Sequence, residues 1–449
     1  MLLTSAWHRL LVAGAAVAAL WAAVLWIAPS TPTISPAQPA LRVAAPAAPT
    51  PAIKPGALRA VVWSGLPAPG GGRFDRFEVG SQPVVAPVNA RGQVAFYATV
   101  LHAPGREGIF LVEAGRVTKL AAFGDSLPGG GTLAEFGEHP VPSLNRAGHA
   151  AFTAGVAGGR GTEGVFLAGA NGLQVVALAG DDAPGVPSGV LVDFDVPALN
   201  DNDELAFVAE VRRGRDLLDV LYFWNGRRLQ RVAAETDLLL RIGGKMDKIG
   251  APALNNSGII AFPAAIFRGP KLGGIFVAGT RTLRLLVGAG DQTPSGAMIL
   301  RVSDRLAIDE EGAVAFGAYI RGEGQPREAV LRIGPEGLSE IAVEGSPAPG
   351  GGRFAAFSPW PTMAPGGAIA FVAALDGGPA QAAAFVANAG AVSRIAGMGE
   401  KLGQGEVIGP FALNAVAAAG PGDTLTFATV GQNRDARSVI YCRCPEPAR

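Results

Sequence analysis

The segment Asn89–Phe96, NARGQVAF, recurs six times further along the chain. Four copies keep its outline: NRAGHAAF from Asn145, NDNDELAF from Asn200, NNSGIIAF from Asn255 and DEEGAVAF from Asp309. Two are looser, APGGAIAF from Ala364 and GPGDTLTF from Gly420. The closing phenylalanines, Phe96, Phe152, Phe207, Phe262, Phe316, Phe371 and Phe427, fall about 55 residues apart, the mark of a repeat architecture. Each copy reads as a turn followed by a strand. Asn89 suits the first position of a type I turn and Gly92 the last, and an Asn side chain can bond its own backbone two residues on. Asn145 with Gly148, Asn200, Asn255 with Gly258, and Gly312 repeat these structural roles. The run after the turn, Val94–Val100, is apolar on both faces, which predicts a strand covered from both sides. A small alanine precedes every phenylalanine but the last and leaves room for a neighbouring sheet.

The residues on either side supply the rest of the unit. A first strand is expected near Phe77–Val88, a second over Gln93–Val100, a third over Gly108–Val112 and a fourth over Val117–Phe123. The third recurs as GVFLAG from Gly164, LYFWNG from Leu221, GIFVAG from Gly274 and AAFVAN from Ala383. Four short strands per repeat describe a blade of a β-propeller. The last repeat runs out after its third strand, Ser438–Arg443. Its missing fourth strand stands at the other end, where Leu58–Gly72, LRAVVWSGLPAPGGG, matches Ile341–Gly352, IAVEGSPAPGGG. The N-terminal strand is therefore predicted to complete the last blade and close the ring, which leaves no unpaired seam. The expected fold is all-β: a seven-bladed propeller over residues 58–446, with a tail at 447–449. The alternative, a solenoid, does not need ends that are complementary halves of one unit.

The NxxGxxAF copies resemble the bacterial exported tandem-repeat proteins known by that motif, whose members carry varied anchors. The resemblance covers most of residues 58–446 and implies an exported repeat protein without an assigned biochemical role. The chain departs from the pattern at Asp309, Ala364 and Gly420 in the Asn position, and at Asp203 and Asp423 in the Gly position. The copy APGGAIAF is also similar to the repeat of TolB-like propellers, an analogy at the level of fold.

Residues 1–28 end in Leu10–Ala28, nineteen residues without a charge, preceded by Arg9. This segment reads as an uncleaved signal anchor, with a cleaved signal peptide as the alternative; the anchor would leave the N-terminus cytoplasmic and contact the membrane through residues 10–28. Residues 29–57 are a Pro/Ala-rich linker. The propeller is expected on the periplasmic face of the inner membrane if anchored, and otherwise in the periplasm or secreted. The 37 basic and 37 acidic residues balance, so nothing draws the chain to nucleic acid. A monomer is expected. Cys442 and Cys444 are the only cysteines; lying two apart on a strand, they are read as free thiols rather than a bridge. Four scattered histidines give no metal spacing, and no cofactor loop or catalytic elbow is present.

Blade geometry sorts the charges. Loops between second and third strands carry Arg106, Arg160, Arg213, Arg268 and Arg327, and the connections between blades carry Asp125, Asp181 and Asp291. Both sets belong to one face of the ring, where they would meet an anionic or sugar-like ligand over the channel, or stand as solvated loop charges. The function expected from this is an extracytoplasmic binding scaffold for a protein or glycan. The alternatives are a propeller hydrolase for glycans or lactones and a structural envelope protein.

Overall fold

The computed structural model describes residues 55–78, 83–137, 140–279, 282–403, 406–412, 414–431 and 437–445. The apolar segment 10–28 and nearly all of the linker, 29–54, lie outside them. The described chain forms seven antiparallel sheets and a single 3-10 turn, Pro421–Asp423. Blade 1 comprises Arg73–Phe74, Val94–Leu101, Glu107–Glu113 and Arg116–Ala122, hydrogen-bonded in that order. Blades 2 to 6 repeat the plan, with second strands at Ala150–Ala157, Leu205–Arg213, Ile260–Phe267, Val314–Arg321 and Ile369–Asp376. Blade 7 takes three strands from the end of the chain, Ala418–Gly420, Thr424–Thr429 and Val439–Arg443. Its fourth is Arg59–Trp63, with Arg59 opposite Cys442 and Trp63 opposite Val439. The expected ring closure is present.

The alternation of small and large side chains explains how the blades stack. In the second strands of blades 1 to 6 the phenylalanine faces the preceding blade and the alanine before it faces the following one; in blade 7 Thr426 stands in the alanine's place. Ala151, Val165 and Leu167 of blade 2 meet Phe194, Leu205 and Phe207 of blade 3. Ala206, Val208 and Leu221 of blade 3 meet Ile260 and Phe262 of blade 4. The same union recurs at the seam, where Ala428 and Ile440 of blade 7 meet Phe74 and Phe96 of blade 1. Ala206, Phe207, Ala261 and Phe262 are each fully buried. Phe96 also stacks on Phe110 within its own blade at 5.7 Å, as Phe152 does on Phe166.

The first strand is not the continuous Phe77–Val88 strand expected from the sequence. In blade 1 only Arg73–Phe74 pairs with the end of the second strand, and Val88 bridges Val94 next to the turn. In blades 2, 3, 4 and 6 the strand is likewise split. Pro142, Pro197, Pro252 and Pro361 stand at the break, three residues before the motif. Proline cannot donate to the ladder. Blade 5 has Leu306 there, and its first strand, Met298–Ile308, runs through.

The motif turns form a second, polar bond between blades. Asn255 Oδ1 accepts from the N–H groups of Ser257 (3.1 Å) and Ile259 (2.9 Å), while its Nδ2 donates to the Asp309 carbonyl in the next blade at 3.0 Å. Asn89, Asn145 and Asn200 do the same, reaching the carbonyls of Asn145, Asn200 and Asn255. The chain of amides stops at Asp309, which caps its own turn but has no amide to donate. Burial pushes its carboxyl above the usual range, against the pull of those N–H groups and of Arg332. Gly92 takes φ +75°, and Asp203, which replaces glycine in blade 3, takes φ +59° all the same. Its carboxylate is held there by Asn145 Nδ2 and His149 Nδ1, each at 2.7 Å.

Cys442 and Cys444 are bonded to each other, contrary to the free thiols expected. The strand ends at Arg443, and Cys444 lies on the turn that meets Gly56, so the two Cα atoms approach to 5.1 Å. That is inside bridging range, where two residues of an extended strand would not be. Both cysteines are buried in the seam.

Two stability outcomes follow. Asn255→Ala removes two turn caps and one inter-blade bond from a buried site, and should lower stability by about 2–4 kcal/mol, read by denaturant unfolding. Ala261→Leu should wedge blades 4 and 5 apart and lower stability by about 1–3 kcal/mol, with Ala57→Leu at the exposed entry to the first strand as the neutral control.

Candidate functional site at the channel mouth

The charged residues singled out in the sequence lie on the expected loops, but they are engaged close to home. Asp125 accepts from the Ala122 N–H (2.8 Å) and pairs with Lys119 at 2.6 Å. Asp181 accepts from the Leu178 N–H and pairs with Arg160 at 2.7 Å. Asp291 accepts from the Gly288 N–H and pairs with Lys271 at 2.5 Å. Each acid thus fastens the turn that follows its own fourth strand. Arg106 packs over Phe123 and reaches Glu135 at 3.0 Å in blade 2, Arg213 lies 3.9 Å from Asp216, and Arg268 covers Phe267. Arg327 has no ion pair among the described residues. These groups line the face blade by blade and do not converge on one point.

The axis holds a different set. The residue four places before the motif's first position is Val85, Val141, Val196, Ala251, Arg305, Trp360 and Val416 in the successive blades. Val85, Val141, Val196 and Val416 pack together with Ala418 and Trp360 and plug the channel. Blade 5 breaks the apolar series. The Arg305 guanidinium spans to Asp195 of blade 3, Nη2 to Oδ1 at 3.0 Å, and its Cζ lies 5.1 Å from the Trp360 ring centroid of blade 6. A side chain that touches the blades on either side of its own, one of them two blades away, runs inside the channel. Asp195 directly precedes the plug residue Val196, so the pair sits on the side of the plug that opens to the loop face. Arg305 is 18% and Asp195 28% exposed. Arg305 Nη1 is buried without a partner, as is Ser358 Oγ two residues before Trp360. Asp304 and Asn414 stand exposed near the same level of their first strands. The result is a polar cup with mixed donors and acceptors and an indole at its floor. Among the described residues no cluster of His, Cys, Asp or Glu is arranged to hold a metal ion.

Aligning the repeats on Asn and Phe hides this site, because its residues fall outside the recurring motif. The signal was there in the departures: one arginine and one tryptophan in a column of valine and alanine.

A second unusual group lies between blades 2 and 3. Glu163, at the start of a third strand, is pushed from the ordinary 4.5 to about 8, first by burial and then by the charge and hydrogen bond of Asp193. At neutral pH the folded protein therefore keeps a proton that the unfolded chain releases. The stability contributed is complete below about 4.5 and lost as pH rises towards about 8. The melting temperature should fall over that interval by the equivalent of about 1–2 kcal/mol, reduced by partial exposure of the pair. Glu163→Gln should flatten the profile, and an unchanged slope would assign the pH dependence elsewhere.

A search among curated proteins finds no match in sequence. Among solved structures the chain is similar to a puromycin-hydrolysing peptidase of Mycobacterium tuberculosis, at 14% identity and a TM-score of 0.43, over 82% of this chain and 52% of that one. It thus spans about half of that peptidase. It is also similar to the Dos1 propeller (11%, TM-score 0.39, covering 87% and 96%) and to the six-bladed fucose-recognising lectin of Aleuria aurantia (11%, TM-score 0.34, covering 73% and 96%). Superpositions this loose carry no activity across. A family model matches residues 54–404, from the closing strand into the last inter-blade connection, and the chain belongs to that family, the family of unknown function DUF7453.

Proposed function

We propose that this protein is an exported binding propeller of the NxxGxxAF type that holds a saccharide in the cup at its channel mouth. The observation that carries the reading is the Arg305–Asp195 pair beside Trp360, in a channel otherwise closed by valine. A neutral polyol suits such a cup. Its hydroxyls donate to carboxylate oxygens and accept from the guanidinium, and an indole offers a flat apolar surface to the C–H face of a sugar ring. A purely anionic ligand suits it less, because Asp195 already neutralises Arg305 and Asp304 stands exposed nearby. The recurring acids at the blade connections support turns in this reading and leave recognition to the axis. A glycosidase reading is weaker. Glu163 and Asp193 are hydrogen-bonded to each other, closer than the ~5 Å at which a nucleophile and an acid flank a glycosidic bond.

The test is a thermal-shift screen of the full chain against neutral oligosaccharides, uronic acids and small phosphates. A neutral saccharide should raise the melting temperature in a concentration-dependent way. The shift should disappear in Trp360→Ala and in Asp195→Asn, and persist in Arg160→Ala. A ligand whose shift survives both channel substitutions would place recognition elsewhere on the ring.

A further inference from the structure

Exposed large apolar side chains are not spread around this ring. Of nine among the described residues, seven fall between Leu217 and Met298, in blades 3 to 5. The most exposed are Leu240 at 89% and Leu272 at 79%, with Leu238, Phe267 and Leu283 beside them. These five belong to one corner of the ring. Leu238 bridges Lys245 across the blade 3–4 connection, and Lys245 in turn lies opposite Phe267. The tip of that connection packs near Pro270 of the loop that carries Leu272. A cavity of about 660 Å³ lies in the same corner, lined by Arg241, Ile242, Pro270, Lys271, Leu283 and Arg284.

The segments that carry these side chains hold charges of one sign. The segments 238–245, 267–272 and 283–284 contain Arg241, Lys245, Arg268, Lys271 and Arg284, and no acid. Lys271 is paired with Asp291, whereas Arg241, Lys245, Arg268 and Arg284 have no ion pair among the described residues. In blades 1, 2 and 6, by contrast, Lys119, Arg160 and Arg394 are each paired with the acid of the connection that follows their blade.

We propose that this corner of blades 3 and 4 rests on an anionic phospholipid bilayer. Protruding leucines and a phenylalanine enter the headgroup boundary while the surrounding cations meet lipid phosphates, the pattern of an interfacial membrane contact. Charge complementarity selects an anionic surface, and the chain itself supplies the proximity. The inference rests on residues 10–28 being inserted in the membrane. From there 26 residues, 29–54, lead in sequence to Pro55 at the start of the ring. A tethered surface meets the bilayer at high effective concentration, so a weak patch suffices to orient the ring.

The experiment uses the full chain with single cysteines at the tips, Leu240→Cys and Leu272→Cys, labelled with a polarity-sensitive dye. The native cysteines are bonded to each other and do not compete for the label. Leu101→Cys and Val407→Cys, exposed on other blades, are the controls. Vesicles are phosphatidylcholine alone or mixed with phosphatidylglycerol. The chain should float with both kinds through residues 10–28. The dyes at 240 and 272 should shift to the blue only on the anionic vesicles, and the controls should not. The shift should vanish at high salt and in the Arg241→Glu/Arg284→Glu variant. Flotation on both vesicles without a shift at 240 and 272 overturns the bilayer contact, leaves the anchor intact and gives the corner to a protein partner. Failure to float on either kind removes the anchor and the inference with it.

Discussion

Around the ring a buried phenylalanine of one blade is received by a small-residue face of the blade before it, centred on the motif's alanine at six junctions and on Thr426 and Ala428 at the seam. This large-on-small contact is the constraint on which the rest of the molecule depends. It needs strands whose two faces are both apolar but unequal in size, which is why the motif ends in Ala-Phe rather than in an alternating polar pattern. It sets how closely the sheets approach, and so how narrow the axis becomes. Where the axis is narrow, one side chain per blade closes it, and a single arginine in place of a valine can reach a carboxylate two blades away.

The asparagine turns add direction to that packing. Dispersion between apolar faces tolerates sliding, whereas an amide that caps its own turn and donates to the next turn's carbonyl does so at one register only. Asn89, Asn145, Asn200 and Asn255 form an unbroken run of this kind through the first half of the ring. From Asp309 onward the second half manages with other bonds, such as Thr362 Oγ1 to the Ala417 carbonyl at 2.6 Å. The seam is held by strand pairing, by the Cys442–Cys444 neighbourhood and by Thr426, whose hydroxyl donates to the Ala86 carbonyl across it.

Most of the architecture was legible because it is written seven times. The repeat spacing, the blade plan and the half-blades at the two ends all follow from comparing the chain with itself. What could not be read that way was whatever occurs once. The split first strands of blades 2, 3, 4 and 6 follow from prolines at a column that the Asn-to-Phe motif does not include. The disulfide depends on where one strand ends, and a shift of one residue would have kept Cys442 and Cys444 apart. The cup depends on Arg305, Asp195 and Trp360, which come from three blades and share no local pattern. The ring of loop charges, by contrast, was conspicuous in sequence because turn chemistry repeats, and in the folded ring its acids cap those turns.

The pairing of Arg59–Trp63 with Val439–Arg443 also has a bearing on synthesis. The ring's earliest strand in sequence must find its latest, so the ladder that closes the ring cannot begin to form until the seven blades between them have emerged. Until then the two ends of a growing row of blades are open edges, each a template for misplaced pairing. Contacts this distant in sequence are slow to form, because loop closure precedes any gain from them. The ring is thus a structure that locks late, and its one disulfide lies beside the ladder that locks it rather than across it.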